Sequence, residues 1–203
     1  MERLQVDAAL REMLPILAST SRYRLELLKR VARDWETCDS AVDEAHRRGE
    51  LPAARATRLA EEKARAVARR FPARWILGAD QVCSCRGEIL DKPGSAERAR
   101  AQLRALSGAT AEFHTAVALV RAEPASRRCA MDHTVVRFRA LTDAEIARYV
   151  AAEPALDCAG GFKCEGLGIT LCDAIETTDP TALIGLPLIA VRRLLAQVGV
   201  PLP

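Results

Sequence analysis

The chain has 203 residues, of which 49% are hydrophobic and 28% are charged, so its composition is that of an ordinary globular protein with room for a substantial core. Its net charge of +3 is too small to indicate nucleic-acid binding, although it does not oppose an anionic small substrate. The N-terminal residues are charged and lack the form of a signal peptide, and the longest apolar stretch, 182–191, is too short to span a bilayer. We therefore expect a soluble, cytoplasmic protein that has neither a membrane nor a nucleic acid as its partner.

The N-terminal part begins with a charged leader at residues 1–13. A first predicted strand, 15–18, ends in a turn rich in hydroxyl groups, which a helix follows. Hydroxyl groups at a helix N-terminus either cap the helix or leave its N–H groups free to bind an anion. Arg24 has the wrong charge for the dipole of this helix. That favours an external anion as its partner, while an ordinary surface arginine would explain it equally well.

The next part of the chain predicts a second strand at 35–42, which leads to Glu44, and a long helix from Pro52 to about Arg70. Lys63 falls inside the apolar arc of this helix and not on its polar rim. A lysine in such a position either extends along the helix to reach water or binds a buried anion, and the sequence leaves both interpretations open.

The central stretch of the chain carries two candidate site residues. The apolar run 75–77 predicts a short buried strand, and Asp80 follows at its carboxyl end. A predicted hairpin, 82–90, then leads to Lys92. Because ligands bind outside the carboxyl ends of strands in open α/β sheets, Asp80 and Lys92 could face each other across a cleft. Alternatively, Asp80 starts a turn and Lys92 is a solvated loop charge.

The cysteines of the chain do not indicate a metal site or a disulfide framework. They number seven, which is odd, and no pair has a C-x-x-C or other zinc-binding spacing. Cys83 and Cys85 alternate along one predicted strand and therefore share one of its faces. This pattern favours buried, reduced thiols over a redox or metal-binding role.

The C-terminal half predicts further helices and strands. They are a helix at 96–106 with Ser95 as its N-cap, strands at 111–121 and 129–139, a helix up to Ala152 with a capping box at Thr142 and Glu145, a glycine-rich stretch at 158–173 and a last helix at 186–198. The two strands are expected to pair as an antiparallel hairpin, because only a short turn at 123–126 joins them. The three histidines, at positions 46, 114 and 133, follow no metal-ligand spacing, and His114 is interpreted as an ordinary strand residue.

Five charged residues would meet if these elements enclose one cleft. Arg24, Lys63 and Lys92 are cations from a helix start, a helix interior and a loop, whereas Glu44 and Asp80 are carboxylates that follow predicted strands. Cations and a divalent ion stabilise negative charge on transferring and leaving oxygens. A carboxylate can bind the metal or take a proton from water. The set is therefore suited to a metal-assisted attack on a polyphosphate.

Several short motifs occur in a characteristic order along the chain. They are Leu17-Ala18-Ser19-Thr20-Ser21 with Arg24, Val42-Asp43-Glu44, Leu59-Ala60 with Lys63-Ala64, Gly78-Ala79-Asp80-Gln81, Lys92-Pro93, Ala159-Gly160-Gly161-Phe162 and Gly185-Leu186-Pro187. In this order the motifs resemble those of the Maf-like nucleotide pyrophosphatases, and the resemblance extends over about residues 15–195.

The resemblance implies an α/β fold in which a two-lobed mixed sheet, flanked by helices, has a central cleft, similar to the inosine triphosphate pyrophosphatases. Residues 14–203 would form this single two-lobed domain. Members of the family use a divalent metal cation, Mg²⁺ or Mn²⁺, to cleave nucleoside triphosphates to monophosphate and diphosphate, and many are homodimers. Because the family is also linked with septum formation, a non-catalytic nucleotide-binding regulator is an alternative.

The resemblance also implies roles for individual residues. It makes Asp80 the catalytic proton acceptor or metal-linked base, and Glu44 a second metal ligand. The phosphate groups would be bound by Ser19, Arg24, Lys63 and Lys92.

Three further positions select the nucleotide base in this family, and here they correspond to Tyr23, Gln81 and Glu165. This set resembles the members that hydrolyse 7-methyl-GTP and so keep a modified nucleotide out of RNA, whereas members acting on dTTP and UTP carry Arg, Thr and Gln. An aromatic ring can hold the cationic 7-methylguanine by stacking and cation–π attraction. Glu165 can accept hydrogen bonds from guanine N1–H and from the exocyclic amine. A dTTP or UTP pyrophosphatase of the same family is the enzymatic alternative.

The chain departs from the family pattern beside the phosphate-binding turn. Arg22 stands where proline is usual, Leu25 where a second arginine is often found, and Ala116 where glycine is usual. The loss of the proline is expected to loosen the turn, and the charge of Arg22 to compensate for it.

Overall fold

The computed structural model of the protein describes residues 8–202. Its helices are α1 (Ala8–Met13), α2 (Arg22–Leu28), α3 (Pro52–Ala68), α4 (Ala96–Leu106), α5 (Asp143–Ala152) and α6 (Leu188–Gln197). Its strands are β1 (Ile16–Leu17), β2 (Ile76–Cys85), β3 (Glu88–Leu90), β4 (Thr110–Arg121), β5 (Ser126–Phe138) and β6 (Cys172–Glu176), and two short 3₁₀ helices cover Ala159–Gly161 and Leu167–Leu171. None of the helices in this part of the chain is long and apolar enough to cross a membrane.

The six strands form one mixed sheet with β1, β2, β4, β5 and β6 in this order, and β3 also pairs with β2. β1 is parallel to β2, and every other pair is antiparallel. Because successive side chains of a strand point to opposite faces, β1, β2 and β4 each contribute to a core on both faces of the sheet. Helix α3 covers one face of the sheet, and α2, α4, α5 and α6 cover the other. The predicted mixed sheet flanked by helices is therefore confirmed.

The core on the face opposite α3 is divided into two clusters. One lies around Leu77 and is closed by α2 and α6, and the other lies around Phe113 and is closed by α4 and α5. Between the two clusters, β2 and β4 carry the polar side chains of Gln81 and Thr115, which are directly opposite each other. On this face of the sheet, a polar pair of side chains therefore separates the two apolar clusters.

Strand β2 is longer than predicted, and Asp80 lies in its middle and not beyond its end. All ten residues of β2 pair with β4, so the predicted strand end after residue 77 is wrong. Gly78 suggested that end, but its role is to make room for α3. A Cβ atom at Gly78 would lie 2.1 Å from the carbonyl oxygen of Ala60, so only glycine permits this close approach.

The other edge of β2 is paired only at its two ends. β1 pairs with Ile76 and Leu77, and β3 pairs with residues 83–85. Within the described part of the chain, residues 78–82 have no strand beside them on this edge. Asp80 therefore lies in a gap between β1 and β3, where a polar side chain can reach a ligand.

Residues 35–42 do not form the predicted strand, and only one isolated bridge joins them to β1. Ala41 adopts a positive φ of 49°, and the carboxylate of Asp39 accepts a hydrogen bond from its N–H. This local turn takes the chain out of extended structure. The apolar pattern instead serves packing, because Trp35 is buried and its Nε1 donates to the carbonyl oxygen of Leu28.

Most of the other predicted elements are confirmed. The hydroxyl of Ser95 caps α4, and Thr142 and Glu145 form a capping box at the start of α5. The two long strands pair as a hairpin along their whole length. Helix α6 begins at Leu188, two residues later than predicted, because Pro187 is its N-cap and has an extended backbone.

The predicted leader is partly helical, and the two cysteines of β2 are buried. Within the predicted leader, Ala8–Met13 is helical, and residues 1–7 lie outside the described part of the chain. Cys83 and Cys85 are buried as predicted, and burial raises the pKa of the Cys83 thiol. The domain limits and the homodimer stay predictions.

We expect Gly78→Ala to lower the free energy of unfolding by at least about 3 kcal/mol, because the added methyl group would overlap the backbone of α3. Urea unfolding of the two proteins measures this difference. Gly87→Ala is the control, since Gly87 has a φ of +84° in the exposed turn between β2 and β3 and a Cβ atom added there would meet nothing within 4 Å. Gly87→Ala should lower the free energy of unfolding by only about 1–2 kcal/mol, because alanine is strained in the left-handed backbone conformation. An equal loss in both variants would contradict the close approach of α3.

Candidate active site

The gap beside β2 opens into a cleft of about 870 Å³. Its walls come from the loop before α2, the segment 39–46, α3, the end of the β2–β3 hairpin, and the loops after α5 and before α6. All nine site residues predicted from the sequence line the cleft: Ser19, Tyr23, Arg24, Glu44, Lys63, Asp80, Gln81, Lys92 and Glu165. The fold thus brings these residues together, while the role of each one stays a prediction.

A buried ion pair joins α3 to β2 in this cleft. Nζ of Lys63 lies 2.6 Å from Oδ1 of Asp80, and each residue is only 6% exposed. The same ammonium lies 2.7 Å from Oε1 of Glu44. Lys63 therefore reaches a buried carboxylate and not water. Removing one partner of such a pair leaves an uncompensated buried charge, at a cost of about 3–5 kcal/mol, so the two residues fix each other's position.

The cations around Glu44 keep it in its carboxylate form. Burial tends to raise the pKa of Glu44, but the hydrogen bond from Lys63 and the charges of Lys63, Lys92 and Arg24 together bring the pKa below its usual value. Three of the predicted phosphate-binding cations therefore act on one carboxylate. An anionic ligand in the cleft would meet the same positive charge.

Asp80 and Glu44 are suited to a hard divalent cation. Each gives one oxygen to Lys63, and the second oxygen of each accepts no hydrogen bond from residues 8–202. Mg²⁺ and similar ions prefer oxygen ligands and are typically bound by one or two carboxylates together with substrate phosphates. The residues therefore fit the metal that the sequence predicts.

Arg55 is a residue of the cleft that was not predicted from the sequence. It is buried, and its guanidinium donates to the backbone carbonyl of Glu44 and to the side chain of Asp91. It thereby joins the segment that carries Glu44 to the hairpin end that carries Lys92. Arg55 lies eight residues before Lys63 on the same stripe of α3, so the argument that identified Lys63 could have identified it as well.

Arg24 brings a further positive charge to the cleft and is not an ordinary surface arginine. Its Nε donates to the carbonyl oxygen of Gly185 at 3.1 Å, and its Nη1 to the hydroxyl of Ser19 at 3.4 Å. Burial lowers the pKa of Arg24, and the carboxylates of Asp80 and Glu44 oppose this effect. Since an arginine side chain stays protonated in proteins, Arg24 supplies a fixed cation.

Gln81 has one polar group left for a ligand. Its Nε2 donates to the hydroxyl of Thr115 at 3.0 Å and to the carbonyl oxygens of Ala182 and Leu183 at 2.9 and 3.1 Å. The amide nitrogen therefore anchors the loop before α6 to β2. Because only the carbonyl oxygen remains, Gln81 can recognise a ligand as a hydrogen-bond acceptor.

Tyr23 has two cationic side chains of the protein near its ring. The guanidinium carbon of Arg22 lies 4.9 Å from the ring centroid, and Nζ of Lys163 lies 5.6 Å from it. Both distances are within the range of cation–π attraction. The hydroxyl of Tyr23 donates to the carboxylate of Asp157 at 3.2 Å, which fixes the ring. Tyr23 therefore offers an oriented aromatic surface that attracts positive charge.

Lys163 is loosely held between this ring and a carboxylate. Its Nζ lies 3.5 Å from Oε1 of Glu153, while Oε2 of Glu153 is buried and has no hydrogen-bond partner among the described residues. Glu153 therefore has an oxygen beside Lys163 that can still accept a hydrogen bond. The sequence carried no signal for this contact, because Lys163 and Tyr23 are far apart along the chain.

Comparisons with known proteins place the chain in a family. A family model described as Maf-like protein matches residues 15–198. A protein of Xanthomonas axonopodis pv. citri (strain 306), named 7-methyl-GTP pyrophosphatase, is 58% identical over 93% of this chain and 98% of its own length. A protein of the same name from Aromatoleum aromaticum (strain DSM 19018 / LMG 30748 / EbN1) is 52% identical over 93% and 97%.

Among solved structures, the Staphylococcus aureus Ham1 protein is 14% identical and aligns over 61% of this chain and 70% of its own, with a TM-score of 0.44. The family match and the two sequence relatives, in contrast, each extend over most of the chain. On these grounds the chain belongs to the Maf-like protein family.

Proposed function

We propose that the protein hydrolyses 7-methyl-GTP to 7-methyl-GMP and diphosphate and so keeps a modified nucleotide out of RNA. One observation carries the proposal: a single cleft combines the Lys63–Asp80 pair and its neighbouring cations with the aromatic ring of Tyr23, which already faces positive charge. The relatives' name, 7-methyl-GTP pyrophosphatase, supports the same substrate.

The cationic part of the cleft would bind the triphosphate. Its charges are close enough together to lower the pKa of one carboxylate, Glu44. In the reaction, a water oxygen bonds to the α-phosphorus and the bond from that phosphorus to the bridging oxygen breaks, so that diphosphate leaves. Fixed cations stabilise the negative charge that develops on the leaving group. The residues proposed for this role are Ser19, Arg24, Lys63 and Lys92.

Asp80 would accept the proton of the attacking water. Its Oδ1 is hydrogen-bonded to Lys63, which orients the carboxylate. Its Oδ2 accepts no hydrogen bond from residues 8–202 and would either take the proton directly or act on the water as a metal-linked base. A divalent cation bound by Asp80 and Glu44 would supply further positive charge against the phosphate oxygens. Positioned acid–base groups of this kind contribute about 10²–10⁴ in rate.

The base would bind at Tyr23. A 7-methylguanine ring is cationic, so it can replace Lys163 on the aromatic face, and Lys163 can then pair with the free oxygen of Glu153. Unmethylated guanine carries no such charge and gains less from the ring. The carbonyl oxygen of Gln81 and the carboxylate of Glu165 would accept the N–H groups of the base.

A panel of nucleotides tests the proposal. The purified protein is incubated with 7-methyl-GTP, GTP, ATP, dTTP and UTP in the presence of Mg²⁺, Mn²⁺ or a chelator, and diphosphate release is measured. We expect the highest kcat/KM for 7-methyl-GTP. A preference for dTTP and UTP would favour the other enzymatic activity, and tight binding without turnover would favour a regulator.

We expect Asp80→Asn to reduce kcat on 7-methyl-GTP by about 10²–10⁴-fold, because the amide cannot accept the proton of water. Lys63 keeps Glu44 as a partner, so the variant should stay folded, and circular dichroism checks this. Glu61→Gln is the matched control, since Glu61 is a carboxylate of the same α3 that pairs with Arg65 and Arg127 away from the cleft. An Asp80→Asn enzyme with the unmodified rate would refute the role of Asp80.

We expect Tyr23→Leu to lower the ratio of kcat/KM for 7-methyl-GTP to that for GTP by about 2- to 30-fold, because cation–π attraction contributes about 0.5–2 kcal/mol. Tyr23→Phe is the control, since it keeps the ring and loses only the hydrogen bond to Asp157. The phenylalanine variant should keep most of the selectivity. Equal selectivity in the leucine variant and the unmodified protein would exclude base recognition by the ring.

We expect Glu44→Gln to raise the Mg²⁺ concentration that gives half-maximal activity, because a neutral amide is a weaker ligand for a hard cation. Titration of Mg²⁺ at saturating substrate measures this shift. Glu36→Gln is the control, as Glu36 is an exposed carboxylate that pairs with Arg74. If both variants need the same Mg²⁺ concentration as the unmodified protein, Glu44 is not a metal ligand.

A further inference from the structure

A second group of ligand-type side chains lies on the sheet outside the cleft. Glu112 and His114 are on β4, and His133 is directly opposite His114 on β5. Residues two apart on a strand share a face, and directly opposed residues of an antiparallel pair do so as well. The strand register therefore brings all three side chains together. The sequence did not indicate this, because ligands on two paired strands have no fixed spacing along the chain.

The three side chains are already arranged around a common point. The two imidazole rings are stacked, with centroids 4.7 Å apart and planes 10° from parallel. Nε2 of His133 lies 2.9 Å and Nε2 of His114 lies 3.8 Å from the same Oε2 of Glu112. One ligand atom from each residue falls within 4.8 Å of the others. Ligand atoms of one tetrahedral Zn²⁺ are about 3.3 Å apart, and the ion lies near the plane of each imidazole. The two rings must therefore turn out of their stacked arrangement so that both Nε2 lone pairs point at the ion.

We propose that Glu112, His114 and His133 bind a late first-row divalent cation, of which Zn²⁺ is the best example. Two imidazoles and one carboxylate are a typical ligand set for Zn²⁺, with the fourth position left to water. Mg²⁺ does not compete well at such a site, because it prefers oxygen ligands throughout.

The environment of His114 favours the neutral imidazole that a metal requires. Burial lowers the pKa of His114, the adjacent His133 lowers it further, and only Glu112 opposes this. Nδ1 of His114 is buried and has no hydrogen-bond partner among residues 8–202. The second ring nitrogen of a metal-bound histidine usually donates a hydrogen bond to a neighbouring group. Because Nδ1 of His114 has no such partner among the described residues, we expect Zn²⁺ to bind about 10- to 100-fold more weakly than at a site where every histidine makes this hydrogen bond.

The proposed site differs from the cleft in place and in chemistry. None of its three ligands lines the cleft, and Asp80 is opposite Ala116 on β4, one same-face position away from His114. The cleft offers carboxylate oxygens to a hard cation, whereas the cluster offers imidazole nitrogens. A metal in the cluster would join β4 to β5 and thereby stabilise the folded protein. The proposal does not depend on the proposed function.

Thermal unfolding and calorimetric titration with Zn²⁺ test the proposal on the full chain. We expect Zn²⁺ to bind this cluster and to raise the unfolding temperature of the unmodified protein more than that of variants that lack a cluster ligand. Mg²⁺, which is expected in the cleft, should affect the unmodified protein and these variants equally. His133→Asn and Glu112→Gln should each weaken Zn²⁺ binding by more than about 100-fold. A loss of this size exceeds the effect of removing a residue that only hydrogen-bonds to a metal ligand, which is about 10- to 100-fold. Both residues are about half exposed, so their replacement should leave the fold intact.

The third histidine of the chain provides the control. His46 hydrogen-bonds to Asp91 in the cleft, and His46→Asn should bind Zn²⁺ as the unmodified protein does. Co²⁺ serves as a spectroscopic probe, because thiolate ligands add an intense sulfur-to-metal charge-transfer band that imidazole and carboxylate ligands do not give. Zn²⁺ affinity that is unchanged in His133→Asn and Glu112→Gln, a Co²⁺ complex with that band, or the absence of Zn²⁺ binding would each overturn the proposal.

Discussion

The buried ion pair between Lys63 and Asp80 is the interaction on which the candidate active site depends. Two charges that are taken out of water stay compatible with the fold only while they remain paired. Because α3 carries one and β2 the other, the pair fixes the helix against the open edge of the strand. The short distance between these elements is possible because Gly78 has no side chain where α3 meets β2. A packing constraint and an electrostatic one therefore act at the same place.

The loop before α6 shows how segments without regular structure are held around this pair. Gln81 and Arg24 donate hydrogen bonds to its carbonyl oxygens from the side of the cleft. From the other side, the buried Asp179 accepts from the N–H and hydroxyl of Thr181 and from the N–H of Ile189 in the first turn of α6. Since both sides of the loop are bound, the cleft has a defined wall although no strand or helix forms it.

Positive charge is concentrated at two places, one within the cleft around Glu44 and one beside Tyr23 at its wall. Around Glu44, cations are close enough to act on a single carboxylate, as a triphosphate would require. Around Tyr23, the cations lie over an aromatic ring, and one of them, Lys163, has an alternative partner in Glu153. A ring that already has protein cations beside it is consistent with the proposed ligand, whose base is itself a cation.

The sequence by itself determined the features that depend on neighbours a few residues away. Ser95 and the capping box of α5 were predictable because their hydrogen bonds span three residues, and Lys63 was identifiable because helical periodicity places it in the apolar arc of α3. The motif order pointed to nine site residues, and all nine are among the residues that line the cleft. Only the tertiary structure decided that Asp80 lies within a strand, and that Lys163 faces Tyr23. Both facts depend on partners distant in the chain, whose approach is set by packing and by the pairing of charges and not by local propensity.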